Sequence, residues 1–304
     1  MLYDKQNTMI DFKEITLEAK EEIQRFTLTG EERNCDLSVA NLCSWSFLYH
    51  THYAVKDGFL LLRFRINDAP VYMMPVGEGN FCPLLDALAE DALRLGSPFR
   101  LMGISEEGKE MIERERPECF SFTEERDFFD YIYLRSDLST LTGKKYQPKR
   151  NHLNRFRHAN PDYEYRELTP GLVPECLKLE ESWCRANGCS EERALADERR
   201  SMTYALTHLE ELGVTGGVLH ADGRIVAFTY GAPINHNTWD VCVEKADTEV
   251  EGSYAMINYE YANRIAESYI YINREEDLGL EGLRKAKLSY QPHLLLKKYT
   301  AVLI

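Results

Sequence analysis

The clearest alternation of apolar and polar positions lies in the last third of the chain. Two strand-type runs, 214–221 and 224–232, flank Asp222-Gly223. Such a pair suits the positive φ that a tight hairpin turn requires. A third run, 238–245, carries Trp239, Val241 and Val243 on alternate positions. After the charged loop 246–251, Gly252-Ser253 opens a helix in which Tyr254, Ile257, Tyr261 and Ile265 recur at helical spacing. The short strand 269–272 then delivers Asn273-Arg274-Glu275-Glu276-Asp277-Leu278-Gly279 at its carboxyl end. Open α/β sheets gather ligands there, so this polar cluster is the first candidate site.

Earlier in the chain, 12–57 reads as helical, with Ile15, Leu17, Ile23 and Phe26 followed by the apolar positions of 37–48. Lys56-Asp57-Gly58 turns into a dense strand over 59–66, and Asn67-Asp68 turns again into 71–76. The loop Gly77-Glu78-Gly79-Asn80 leads to a helix that starts at Pro83 and stops at Gly96, with a strand over 99–104 beyond it. The same order of elements recurs over 37–104 and 192–273, as a repeat of element type rather than of residues. Two α/β units in tandem are expected, 1–137 and 162–304. The second begins with a strand over 163–168 and closes with a helix over 283–289 and a strand region over 293–304.

Residues 138–161 join the units and contain no Asp or Glu. They hold Lys144, Lys145, Lys149, Arg150, Arg155 and Arg157, with His152 and His158. Pro148 suits a first helical turn and Asn160-Pro161 a helix end. Leu153 and Phe156 form a narrow apolar seam. Cations in a first turn oppose the helix dipole by about 0.3–1 kcal/mol each. This basic linker helix therefore either grips acidic surface of its own chain or forms an anion site for phosphate groups.

Composition narrows the function classes. The net charge of −14 disfavours a general nucleic-acid coat, which works by neutralising phosphates. No apolar run approaches the ~20 residues that cross a bilayer, and residues 1–15 lack a signal core, so a cytoplasmic protein is expected. The eight cysteines form no C-x-x-C pair. Cys184 and Cys189 stand five apart without completing a zinc pattern, and His50-x-His52 lacks a metalloprotease context. Reduced, mostly buried thiols and no metal are expected.

The element order resembles the GNAT acyltransferase fold. The stretch Gly143-Lys144-Lys145-Tyr146-Gln147-Pro148-Lys149-Arg150-Asn151-His152-Leu153-Asn154-Arg155-Phe156 looks like the basic inter-domain motif of the phosphatidylglycerol lysyltransferase C-terminal domain family. That family is a tandem-GNAT relative of the Fem-type aminoacyltransferases. Residues 272–279, with Gly282-Leu283-Arg284-Lys285-Ala286-Lys287 and Tyr290-Gln291-Pro292, resemble its second motif. The resemblance covers nearly the whole chain. It implies two tandem GNAT-like domains, each a mixed, mostly antiparallel sheet flanked by helices. It further implies aminoacyl transfer from charged tRNA to an amine or hydroxyl acceptor, with aminoacyl-tRNA as donor substrate and no bound cofactor. The tRNA acceptor end is the partner this suggests. The membrane-embedded half of the lysyltransferases has no counterpart here, so the acceptor stays open between a lipid and a small soluble amine or peptide. Oligomeric state is open too.

On this reading Asp277, with Arg274 and Asn273, is the catalytic candidate, since Asp277 could hold or deprotonate an acceptor amine. Arg274, Arg284 or Lys287 would bind phosphate or a developing oxyanion. Lys144, Lys145, Lys149, Arg150 and Arg155 would take the terminal nucleotides. Asp240, Glu244 and Tyr254 would line the cleft. The plainer alternative for Arg274 and Asp277 is a local i,i+3 ion pair. Two other functions compete. One is acyl-CoA-dependent N-acylation, but Glu249-Val250-Glu251-Gly252-Ser253-Tyr254 sets two carboxylates where GNAT enzymes cradle a pyrophosphate with Q/R-x-x-G-x-G/A. The other is a non-catalytic binding module on a duplicated fold. The aminoacyltransferase reading requires the basic helix and the 273–277 turn to face a common hollow.

Overall fold

The computed structural model describes residues 9–187 and 193–304. After β1 (Lys13–Glu14) come helices α1 (Lys20–Thr27), α2 (Val39–Ser44) and α3 (Ser46–Tyr49). A meander of β2 (His52–Lys56), β3 (Phe59–Ile66) and β4 (Ala69–Met73) follows. Its turns place Asp57, Gly58, Asn67 and Asp68 at φ of 51°, 87°, 50° and 64°, the left-handed values of two-residue hairpins. The segment expected to be helical to residue 57 thus ends in a strand, because His52–Lys56 pairs along Phe59–Arg63. Then come β5 (Val76–Gly77), α4 (Phe81–Arg94), β6 (Arg100–Ile104), α5 (Glu106–Glu115), β7 (Phe120–Glu124) and β8 (Asp130–Leu134). Helices α6 (Arg135–Thr140) and α7 (Gln147–Ala159) bridge to β9 (Glu164–Glu167), α8 (Val173–Asn187), α9 (Arg193–Thr207) and α10 (Leu209–Leu212). The last part comprises β10 (Thr215–Ala221), β11 (Arg224–Pro233), β12 (Thr238–Ala246), α11 (Ser253–Ala262), β13 (Tyr271–Asn273), α12 (Glu281–Leu288), β14 (Leu294–Leu296) and β15 (Tyr299–Leu303).

Among the described residues these strands form two mixed sheets. One runs β1-β2-β3-β4-β6-β15-β7, with β5 on β3, and the other runs β14-β8-β13-β12-β11-β10-β9. Each contains a meander that ends in a parallel pair, β4 with β6 and β12 with β13. Sheet membership does not follow the expected boundaries at 137 and 162. Strand β8 sits in the second sheet between β14 and β13. Strand β15 crosses into the first sheet and fills the gap between β6 and β7. The expected closing strand region is therefore two strands serving different sheets. Tyr299 and Ala301 of β15 are buried in the first sheet's core, which explains the crossing.

The units are also joined by packing. One apolar core holds Ile23, Leu37, Leu60 and Leu62 from the first together with Leu206, Val218, Phe228 and Ile234 from the second. Behind the second sheet, Leu153 and Phe156 of α7 bury against Met256 and Ile257 of α11, as the seam in the linker predicted. Six cysteines are free thiols. Cys184 is in a disulfide, contrary to the expectation of reduced thiols throughout, and Cys189 lies outside the described residues.

One irregularity positions the site. Between β11 and β12 the register shifts, so that Tyr230 faces Val243 while Ala232 faces Asp240. Val241 and Cys242 thus share Gly231 as partner, a β-bulge. A Cβ on Gly231 would lie 1.9 Å from the carbonyl oxygen of Asp240, so only glycine fits. The bulge changes the phase of β12. Trp239 and Glu244 both reach α11, through Tyr261 and Asn258, while Asp240 bonds Asn41 of α2 on the opposite face.

Candidate active site

Strands β12 and β13 pair only over Thr238–Asp240 and Tyr271–Asn273. Beyond this point they diverge, because the Arg274 amide donates to the Tyr131 carbonyl of β8 instead. The polar cluster foreseen in the sequence stands at that divergence. Asn273, fully buried, organises it. Its amide donates to Asp130 (2.9 Å) and to the Arg33 carbonyl (2.7 Å), and its side-chain oxygen accepts from the Glu275 amide (2.7 Å).

On the α11 face, Arg274 donates to Glu244 at 3.0 Å. Its guanidinium lies 4.8 Å from the centre of the Tyr290 ring, and Lys149 Nζ lies 3.7 Å from the same centre. Helix α7 and the 273–277 turn therefore meet, through Lys149, over one buried aromatic ring. Burial, then the charge of Arg274, pushes the Lys149 amine down to about 8, with Glu244 opposing. Arg274 Nη1 and Asn258 Oδ1 are buried there without hydrogen-bond partners. Buried polar groups are normally paired, so this orphan donor and orphan acceptor, beside Lys149 and Glu244, are exceptions within the cluster.

Other candidates have structural duties. Asp277 accepts five hydrogen bonds, from Tyr131 (2.6 Å), Arg126 (3.1 Å), Arg284 (2.9 and 2.8 Å) and the Gly279 amide (2.9 Å). Burial alone would raise its pKa, but the bonds from Arg284, Tyr131 and Gly279 and the charge of Arg126 carry it well below the usual carboxylate range. It is a buried anchor, not an open base. The local pair with Arg274 does not form, because Arg274 is committed to Glu244. Arg284 is held by Asp277 and Asp127 (2.7 Å). Lys287 braces the turn, donating to the carbonyls of Arg274 and Glu276, each at 2.5 Å.

Of the linker cations, Lys149 alone is placed at this ring. Arg150 donates to the Leu141 and Gly143 carbonyls, Arg155 pairs with Glu251 at 2.5 Å, and Lys145 pairs with Asp137 at 3.2 Å. Lys144 is exposed. Tyr254 accepts from the Trp183 indole at 2.9 Å. Sequence reasoning missed Tyr133, Tyr290 and Asn258 on this face. Tyr290 stood inside a quoted motif, but nothing local marked it as a platform.

The opposite face is acidic. The Asn41 amide donates to Asp240 (3.0 Å) and Glu275 (2.9 Å), and the Cys242 thiol lies 3.4 Å from Asp240. Burial, first of all, pushes both carboxyls well above their ordinary values. Asp240 was foreseen as cleft-lining; Asn41 and Cys242 were not.

Two sheets that each end a meander in a parallel pair, with a polar cluster where the second pair parts, define a tandem GNAT-type transferase fold. The chain belongs to the phosphatidylglycerol lysyltransferase C-terminal family, whose model matches residues 29–302, and that family is one of transferases. A conserved protein of unknown function from Bacteroides thetaiotaomicron is 56% identical, with a TM-score of 0.96 over 97% of this chain and 100% of that one. L-PGS from Bacillus licheniformis is 15% identical, with a TM-score of 0.64 over 94% of this chain and 90% of that one, a likeness of fold. An uncharacterized protein of Mycoplasmoides gallisepticum is 23% identical over 176 residues, which span 58% of this chain and 56% of that protein. Among the described residues no helix is long and apolar enough to cross a membrane.

Proposed function

We propose that this chain is an aminoacyltransferase. It takes an aminoacyl group from charged tRNA and passes it to an amine or hydroxyl acceptor where β12 and β13 part. The observation that carries this reading is the meeting of Lys149 and Arg274 over Tyr290, beside Glu244 and with the Arg274 Nη1 nitrogen unpartnered. An aminoacyl ester is already activated. The protein must orient it and stabilise the charge that develops when a nucleophile adds to the carbonyl carbon. The carbonyl oxygen becomes an oxyanion, the bond to the ribose oxygen breaks, and the nucleophile's proton leaves with that oxygen. Arg274 Nη1 and Lys149 supply donors for the oxyanion or an adjoining phosphate, and Asn258 Oδ1 an acceptor for the incoming N–H or O–H.

Acyl-CoA suits the site less well. The loop that would receive its pyrophosphate carries Glu249 and Glu251. It is also closed by α7, since a Cβ on Gly252 would lie 2.6 Å from the His152 carbonyl. The test is transfer of labelled amino acid from charged tRNA to a panel of lipid, amine and peptide acceptors. Product formation should vanish after ribonuclease treatment, and Arg274→Gln should lower the rate by at least ~10²-fold. An acetylated product from acetyl-CoA, or binding of charged tRNA without turnover, would overturn the proposal.

A further inference from the structure

Two groups of thiol and carboxylate side chains lie near the turn after β13, and they are neutralised differently. In the first, Cys35, Asp36 and Glu276 gather with Asp130 near Lys298. Lys298 Nζ stands 2.7 Å from Asp130, 3.1 Å from Asp36 and 3.6 Å from Cys35 Sγ, so the protein supplies its own cation. The second group is Asp240, Cys242 and Glu275, whose ligand atoms all lie within 4.8 Å of one another. Among the described residues no ion pair within 4 Å reaches Asp240 or Glu275; the buried Lys287 charge acts on Glu275 from farther off, nothing comparable serves Asp240, and the Asn41 amide that donates to both is neutral. Asp240 is fully buried, and its Oδ1 has no hydrogen-bond partner. A buried carboxylate oxygen left unmatched is costly, and a cation relieves that cost.

We propose that Asp240, Cys242 and Glu275 bind one divalent metal ion of the zinc class, with a fourth coordination position open. The three side chains are set for this by separate means. Asp240 and Cys242 stand two apart on β12 at the bulge, and Glu275 is turned in by the Asn273 side chain at a φ of 54°. Bonds of roughly 2.3 Å to sulfur and 2.0–2.2 Å to oxygen at tetrahedral angles give an S···O edge of about 3.6 Å. The Cys242 thiol now donates to Asp240 Oδ2 at 3.4 Å, so the two ligand groups are already neighbours and Asp240 Oδ1 is the oxygen left for the ion. The thiol also favours a borderline or soft metal over magnesium or calcium. On uptake the S–H bond breaks, an S–metal bond forms, and the proton leaves to water. The ion would lie across β12 from Lys149 and Arg274, and its binding does not depend on the transferase reading.

The test uses the full chain after treatment with a chelator. Titration with Zn²⁺ is followed by calorimetry and titration with Co²⁺ by absorption. One equivalent should bind, and Co²⁺ should give a thiolate-to-metal charge-transfer band in the near ultraviolet. Cys242→Ser should abolish the band, Asp240→Asn should weaken Zn²⁺ binding at least about a hundred-fold, and Cys35→Ser should change neither. Circular dichroism and the unfolding midpoint check that each variant folds. Should Asp240→Asn not fold, Cys242→Ser decides alone, because the band reports sulfur ligation directly. The proposal is overturned if no band forms, if the band survives Cys242→Ser, or if calorimetry shows no uptake of Zn²⁺.

Discussion

Lys149 owes its character to Tyr290, Arg274 and Glu244, which come from distant parts of the chain. Its folded pKa of about 8 lies below the ordinary lysine value of about 10.4. Between those values the unfolded chain binds more protons than the folded one, so stability should rise as pH increases from about 8 to 10.4. Lys149→Met should remove that rise in urea-unfolding midpoints. Anion binding at the same place should weaken above about pH 8, and Lys149→Arg should abolish that pH dependence. Asp277 offers the complementary case. Asp277→Asn leaves Arg126 and Arg284 without their buried anion and should cost about 3 kcal/mol. We take the low end of the usual range because both arginines are about one-third exposed. A variant of unchanged stability that had lost transfer activity would reverse our assignment of Asp277 as an anchor. The polar cluster was legible in the sequence from its place beyond a strand's carboxyl end. The division of labour inside it was not, since two of the partners that commit Asp277, Arg126 and Tyr131, lie 151 and 146 residues upstream, beyond the nearby Arg284. For the same reason five linker cations read alike, although only Lys149 among them shares the Tyr290 ring with Arg274. Asp240, Cys242 and Glu275 show no metal spacing because the bulge and the turn, not the sequence interval, bring them together.

Among the elements, the long amphipathic ones were read correctly. Helix α7 begins at Gln147, beside Pro148, and buries Leu153 and Phe156, as its pattern required. Short or crossing elements were not. Strand β2 follows helical sequence too closely to show its own period, and nothing within Tyr299–Leu303 states which sheet it joins. The bulge in β12 was invisible because it requires only that Gly231 stand opposite. Gly231→Ala should therefore cost about 2–3 kcal/mol in urea unfolding, a large effect for one methyl group in a strand. Strand β7 has β15 as its sheet neighbour. Ala301→Asp, placing a charge at a fully buried position between β6 and β7, should abolish cooperative unfolding of the whole chain and not of one sheet alone. Circular dichroism during urea titration would show this as the loss of a single sharp transition.

At the scale of the molecule, a net charge of −14 makes any contact with RNA a local matter. If Lys149 and Arg274 carry the phosphate contacts, the slope of log K against log salt should be about −1.4, two charges at roughly 0.7 each for a single strand. Fluorescence anisotropy with an acceptor-end oligonucleotide measures it. A slope of about −4 or steeper would restore the exposed cations of the linker to the interface.

The crossing of β15 also bears on how the protein is made. Glu124 of β7 waits for Tyr299, 175 residues later in synthesis. At about 5–20 residues per second that interval is roughly 10–35 s. Throughout it, β6 and β7 lack the strand that separates them, so the half that leaves the ribosome first completes its sheet last. Nascent chains will present unpaired edges to chaperones until translation has passed Leu303, and genetically split halves should become soluble only when co-expressed.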